Sequence, residues 1–136
     1  MRSKTTWGDT LRREIIHIPP IKLLWSDWFP WELVGMAVRD GGVRVPDGPG
    51  VYEVRYVDAV ERLTIGKASN LRMRVKQGLV KGKVKHSAGR RIRAYEDVSR
   101  IVIRWAETDR PAAVEEELHR RHLERFGRLP KYVRHT

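Results

Sequence analysis

The chain of 136 residues contains no cysteine, which excludes disulfide bonds and thiolate metal sites. It also lacks any apolar run near the roughly 20 residues that a membrane-spanning helix needs, so no membrane contact is expected. Its first residues, 1–9, carry charged and polar side chains where a secretory signal peptide would have an apolar core. These absences predict a cytoplasmic protein.

Acidic residues are the minority, 17 against 28 basic ones, and the formal net charge is +11. The basic residues concentrate in an internal segment rather than in a tail: Lys67, Arg72, Arg74, Lys76, Lys81, Lys83, Lys85, Arg90, Arg91 and Arg93. Such clustering is typical of proteins that bind polyanions, because neutralised phosphates release counterions. We therefore predict a nucleic-acid partner. A solvated basic face that only aids solubility is the alternative.

The chain length fits one main domain, but residues 1–45 differ in composition from the rest. This part holds four of the five tryptophans, Trp7, Trp25, Trp28 and Trp31. We predict an N-terminal extension, 1–45, with short helices over 11–18 and 28–38, packing on a core domain of residues 46–136. The tryptophans are interpreted as packing anchors; stacking on bases or docking of a partner is the alternative.

The core domain shows an order of elements that can be predicted from periodicity and turn residues. Strands are predicted over 51–57, 61–66 and 101–105, and helices from Ser69 or Asn70 to about 79, over 87–98 and over 112–126. Gly78 and Gly82 are expected to break the first of these helices. The order β-β-α-α-β-α predicts an α+β sandwich with a small central sheet.

A composite motif runs along this order: Gly50-Val51-Tyr52, then Thr64-Ile65-Gly66-Lys67, then Asn70-Leu71-Arg72-Met73-Arg74. Together with a downstream glutamate on a helix, it resembles the GIY-YIG nuclease superfamily over residues 46–130. The resemblance implies a three-stranded antiparallel sheet flanked by helices. It also implies a DNA endonuclease that uses a divalent cation, Mg²⁺ or Mn²⁺.

The resemblance assigns roles residue by residue. Tyr52 would orient or deprotonate the attacking water, and Arg74 would contact the scissile phosphate as a bidentate clamp. Lys67 would contact phosphate or water. Thr64 stands where the family usually has a second tyrosine. Two motif glycines, Gly50 and Gly66, would allow close backbone approach to the site.

The metal-binding glutamate is expected on the last helix, where Glu115, Glu116 and Glu117 follow one another. In the family an apolar residue commonly lies three positions after this glutamate, and an alanine often precedes it. Glu115 meets this pattern through Leu118 and Ala113 and is our first choice, with Glu116 second. The remaining glutamates would form a solvated face with i,i+4 arginine partners. His119, one turn beyond Glu115, could share the site.

A second group of residues is predicted to contact the nucleic acid: Arg72, Lys76, Lys83, Lys85, His86, Arg90 and Arg91. For His86 an exposed loop histidine is the alternative. Thr64 and Gly78, where the family often has tyrosine or histidine, depart from the pattern. They keep open a degenerate nucleic-acid-binding module that retains the fold without cleavage. The target sequence, the pathway and the oligomeric state do not follow from the sequence.

Overall fold

A computed structural model describes residues 21–133 of the chain. Trp7 and the helix predicted over 11–18 lie outside these residues. The elements are β1 (Phe29–Pro30), α1 (Trp31–Gly35), β2 (Gly50–Tyr56), β3 (Thr64–Ala68), α2 (Arg72–Val80), α3 (Ser87–Tyr95), β4 (Ile101–Glu107) and α4 (Pro111–Phe126). From Gly50 onward they follow the predicted order β-β-α-α-β-α. Within residues 21–133 no helix is long and apolar enough to cross a membrane.

The sheet is antiparallel and open, with the strand order β1-β4-β2-β3. The α+β class is therefore confirmed, but the prediction of three strands is wrong because β1 adds a fourth. This strand is a two-residue pairing of Phe29 and Pro30 with Ile103 and Val102. Two residues are too few to show alternation. Pro30 also precedes the first residue of α1. In the sequence, this proline therefore indicated the start of a helix and not a strand.

Strand β2 lies inside the sheet, between β4 and β3, and its side chains point alternately to the two faces. Tyr52 and Val54 join the larger core cluster, which also contains the apolar side chains of α1 and α2. Val51 points to the opposite face and packs with Ala106 and Val114 under α4. Since both faces are covered, the strand is buried almost continuously from its first residue. The candidate site lies along β3, at the edge of this sheet.

Helix α2 is wound as a π-helix over its whole length, a rare form in which hydrogen bonds span one residue more than in an α-helix. The predicted cap is present, since the side-chain oxygen of Asn70 accepts the backbone N–H of Met73 at 3.0 Å. The prediction that Gly78 breaks the helix is wrong, because winding continues to Val80. Only Gly82, with φ of 71°, leaves the helical conformation.

The last two helices begin as predicted. Helix α3 starts at Ser87 but ends at Tyr95 rather than at 98, since Glu96 is extended and accepts hydrogen bonds from Tyr56 and Tyr132. Helix α4 starts with a proline in its first turn and ends at Gly127, which has φ of 75°. The predicted helix over 28–38 is shorter, Trp31–Gly35.

The described part of the N-terminal segment, 21–45, packs against the rest of the chain. Trp31, Val34 and Val45 are buried in the same cluster as Tyr52 and the apolar residues of α2. The tryptophan side chain therefore fills the core, as expected for a packing anchor.

A charged cluster lies on the α4 side of the sheet. Glu53 is 3% exposed, and one of its carboxylate oxygens accepts from Arg62 Nε at 3.0 Å and from Arg104 Nη2 at 2.7 Å. The Arg104 guanidinium also lies 4.0 Å from the ring centre of Trp25 and 4.6 Å from that of Trp28. Cation–π contacts of this kind favour a desolvated guanidinium. This cluster joins the N-terminal segment to the sheet.

We expect Glu53→Gln to lower the free energy of unfolding by about 3 kcal/mol, because it leaves two partly buried guanidinium groups without a counter-charge. Urea denaturation of the two proteins measures the difference. The matched control is Glu61→Gln, which removes the partner of Arg128 in an exposed ion pair and is expected to change stability little. Equal losses for the two variants would contradict the expectation.

Candidate active site

A cavity of about 910 Å³ opens where β3, the first turns of α3 and α4, and the tail after α4 meet. Its lining combines several residues of the composite motif with side chains from distant parts of the chain. It is formed by Tyr52, Thr64, Ile65, Gly66, Lys67, Ala68, Ser69, Arg74, His86, Ser87, Ala88, Arg91, Pro111, Ala112, Glu115, His119, Tyr132 and Val133. The structure therefore brings together Tyr52, Thr64, Lys67, Arg74 and Glu115.

Tyr52 stands on the central strand with its side chain 2% exposed. It pairs in register with Gly66 on β3, and a Cβ atom at position 66 would overlap the tyrosine ring and hydroxyl. Glycine is thus required for the ring to lie across the neighbouring strand. Burial raises the pKa of Tyr52 to about 12; the Arg74 guanidinium acts to lower this pKa and the Glu115 carboxylate to raise it.

Gly50 also allows a close approach, though away from the cavity. A Cβ atom there would overlap the carbonyl of Ala106 on β4 and the Leu71 side chain before α2. The first residue of β2 therefore sits tightly between its partner strand and the start of the helix. This contact sets the position of α2, and hence of Arg74, relative to Tyr52.

Two basic residues of the motif, Lys67 and Arg74, line the cavity. Lys67 and Arg74 are exposed, and neither makes an ion pair within the described part of the chain. Thr64 is buried at the cavity wall. It carries only a short hydroxyl side chain where the resemblance leads one to expect a phenol.

The three consecutive glutamates of α4 are separated by their surroundings. Glu115 lines the cavity and is half-buried, and it forms no ion pair with any residue in 21–133. Glu116 is exposed and does not line the cavity. Glu117 accepts hydrogen bonds from Arg120 and Arg121, so it has cationic partners on the helix surface. Of the three, Glu115 alone faces Tyr52 and Arg74 across the cavity.

The donor chemistry of the cavity fits a hard divalent cation held by a single carboxylate. No group of three or more His, Cys, Asp or Glu side chains suited to a metal occurs in residues 21–133. Mg²⁺ is commonly held by one or two carboxylates while water and substrate phosphate complete its shell. Glu115, which is half-buried in an open cavity and forms no ion pair within residues 21–133, is compatible with that mode.

The residues predicted to contact nucleic acid fall into three groups. Lys83, Lys85 and Arg90 are exposed around the start of α3, and Arg91 lines the cavity. Arg72 forms the second group by itself. It lies outside the cavity, and its Nε is 2.6 Å from Asp47 Oδ1.

Lys76 and His86 are buried and form the third group. The Lys76 ammonium donates to the Val43 carbonyl at 2.9 Å and is not presented to solvent. The His86 ring contacts Tyr52 through a hydrogen bond of 2.7 Å between Nε2 and Oη. Both side chains are thus engaged inside the protein.

Among the cavity residues that were not singled out from the sequence, two carry a side-chain hydroxyl, Tyr132 and Ser87. Tyr132 belongs to the tail after α4; it reaches the cavity because its backbone N–H donates to the Leu63 carbonyl at 2.8 Å. Ser87 lies in the first turn of α3, whose position depends on packing against α2. No periodic signal marks either position. His119, by contrast, lies where its spacing from Glu115 indicated, and its Nε2 donates to the Ile65 carbonyl at 2.9 Å.

Comparison of the chain with protein-family models, with curated proteins and with solved structures gave no match in any of the three.

Proposed function

We propose that the chain is a divalent-metal-dependent endonuclease of the GIY-YIG type that hydrolyses phosphodiester bonds in DNA. One observation carries the proposal. Tyr52, Arg74 and Glu115 come from a strand and two helices far apart in the sequence, and they line one cavity. A phosphodiester needs an activated water, a countercharge on its oxygens and a path for the leaving oxygen. The cavity offers side chains suited to the first two.

Tyr52 is the residue that orients the attacking water, because its hydroxyl lies at the cavity wall while the ring is fixed by β2 and β3. Its high pKa keeps it a neutral phenol in the resting enzyme. To act as base, Tyr52 first loses its phenolic proton to solvent in the open cavity. The positive charge of Arg74 favours the resulting phenolate, which can then accept a proton from the attacking water.

Arg74 and Lys67 supply positive charge for the phosphate. Arginine presents a planar fork that matches two phosphate oxygens, and Arg74 is not engaged by a carboxylate within the described residues. Glu115 would hold the Mg²⁺ or Mn²⁺ ion. Such an ion stabilises negative charge on the phosphoryl oxygens and lowers the pKa of bound water.

The substrate is proposed to enter along the basic side of the cavity. Lys83, Lys85 and Arg90 are exposed next to the first turn of α3, and Arg91 reaches the cavity itself. Contacts between these cations and the backbone phosphates position the strand without reading its sequence. Arg72 and Lys76 are left out of this interface, because the first pairs with Asp47 and the second is buried.

The proposal is tested with a supercoiled plasmid that is incubated with purified wild-type protein and with Mg²⁺, Mn²⁺ or EDTA. We expect nicked or linear product with either cation and none with EDTA, since the cation supplies part of the charge stabilisation. Absence of cleavage with both cations, for protein that still binds the plasmid, would contradict the endonuclease proposal.

A degenerate nucleic-acid-binding module is the second candidate, and Thr64 favours it. Its hydroxyl at the buried end of β3 cannot extend as far into the cavity as a phenol. Such a module would bind DNA without cutting it, and its affinity would fall steeply as salt rises. In the plasmid experiment, salt-sensitive binding without product would select this candidate.

A further inference from the structure

His86 is placed so that the positions of its hydrogens follow from its partners. It immediately precedes α3, is 3% exposed, and its Nδ1 lies 2.9 Å from the backbone nitrogen of Gly89. A backbone N–H can only donate, so Nδ1 must accept and carries no proton. The single proton of the neutral ring is then on Nε2, which lies 2.7 Å from the Tyr52 hydroxyl oxygen.

The neutral form is the one that the surroundings favour. Burial and the positive charges of Arg74 and Arg93 lower the pKa of His86 to about 4. Protonation would also place a hydrogen on Nδ1 against the Gly89 N–H and remove a helix cap. The ring therefore acts as a fixed donor toward Tyr52 at neutral pH.

This arrangement decides the direction of the tyrosine hydroxyl. Because Oη accepts the hydrogen bond from His86, the phenolic proton of Tyr52 must point elsewhere. The Arg74 guanidinium is also a side-chain hydrogen-bond partner of this hydroxyl, but it can only donate, and Tyr52 lines the cavity. The proton is thus available to a group in the cavity, and the donated bond favours the phenolate once that proton leaves.

Two glycines make room for this histidine. A Cβ atom at Gly89 would lie 2.8 Å from the Leu79 carbonyl oxygen, so glycine allows the first turn of α3 to approach the backbone of α2 closely. A Cβ atom at Gly78 would lie 3.4 Å from both Cβ and Cδ2 of His86. A methyl group fits there, but a longer side chain would occupy the space of the imidazole.

From this geometry we infer that His86 is a positioning residue for Tyr52. It donates Nε2–H to the tyrosine oxygen, turns the phenolic proton into the cavity, and is seated by glycines at positions 78 and 89. Its effect on cleavage rests on the proposed function; its protonation state and its contact with Tyr52 do not.

The first test is a long-range proton–nitrogen NMR experiment on the ¹⁵N-labelled full chain without DNA or metal. We expect His86 to show the Nε2–H tautomer and not to titrate between about pH 5.5 and 8, in contrast to an unperturbed histidine. An Nδ1–H tautomer, or titration near the ordinary histidine pKa, would overturn the inference whether or not the protein cuts DNA.

The second test measures plasmid cleavage and DNA affinity of variants. His86→Ala and Gly78→Leu should both slow cleavage by about 10- to 100-fold, as is usual when a residue that orients a reacting group is lost, with affinity unchanged. Gly78→Ala is the control and should cleave at the wild-type rate. His86→Gln, whose amide can donate to Oη, should recover part of the loss.

The outcomes separate the two proposals. Wild-type rates for both His86→Ala and Gly78→Leu would overturn the role of His86 in an enzyme that still cleaves. Failure of the wild-type protein to cleave would instead overturn the proposed function, and the NMR result alone would then decide the geometry of His86.

Discussion

Glu115→Gln is expected to abolish metal-dependent cleavage, reducing the rate by at least about 10³-fold. A bound cation contributes several kcal/mol of charge stabilisation in the transition state, and each 1.4 kcal/mol or so is a factor of ten in rate. The glutamine keeps the size of the side chain but removes the negative charge that would hold the cation. Initial rates of plasmid nicking at saturating Mg²⁺ measure the loss.

Glu116→Gln is the matched control, because it makes the same chemical change one position along α4. Glu116 is exposed and does not line the cavity, so cleavage should stay within about twofold of wild type. Circular dichroism of the two variants establishes that both are folded. A large loss in Glu116→Gln together with normal rates in Glu115→Gln would contradict our choice of metal ligand.

Arg74→Ala is expected to slow cleavage by about 10²- to 10³-fold, the usual effect of removing one group that stabilises transition-state charge. Two effects act in the same direction. The phosphate loses its bidentate partner, and the pKa of Tyr52 rises further, because the Arg74 charge that lowers it is gone. The rates of both proteins should therefore rise with pH as more phenolate forms, and the rise should extend to a higher pH in Arg74→Ala. Single-turnover rates between neutral and alkaline pH measure both effects.

Arg72→Ala provides the comparison for Arg74→Ala. It also removes a guanidinium from α2, but one that pairs with Asp47 outside the cavity. Its cleavage rate should remain close to that of wild type. Arg74→Lys should restore charge without the planar fork and recover only part of the activity. Equal losses in Arg72→Ala and Arg74→Ala would indicate a general effect of charge on DNA binding instead of a specific contact.

Much of the fold could be predicted because local signals were strong. The order of elements from Gly50 onward followed from alternation in β2 and β4, from the Asn70 cap and from Pro111 and Gly127 at the ends of α4. The errors lay where local signals were weak or ambiguous. The pairing of Phe29 and Pro30 depends on the position of β4, and the winding of α2 through Gly78 depends on packing against its neighbours.

The geometry of the candidate site could be predicted less well than the fold. The motif already named Tyr52 and Arg74, and the spacing to Leu118 and Ala113 favoured Glu115 without excluding Glu116. The separation of the three glutamates arises from how α4 lies on the sheet, which turns Glu115 toward the cavity and Glu117 toward arginines on the surface. Similarly, Lys76 looks like any other basic residue until its burial is known.

The sequence by itself determined the charge, the order of strands and helices after Gly50 and the set of residue types suited to phosphodiester chemistry, because these depend on composition and short-range spacing. Only the tertiary structure decided which side chains share a cavity, how His86 is protonated and where Tyr132 lies. Those features depend on contacts between residues distant in the chain. The close approach of α3 to α2 at Gly78 and Gly89 is the clearest case, since it leaves room for His86 to lie against Tyr52.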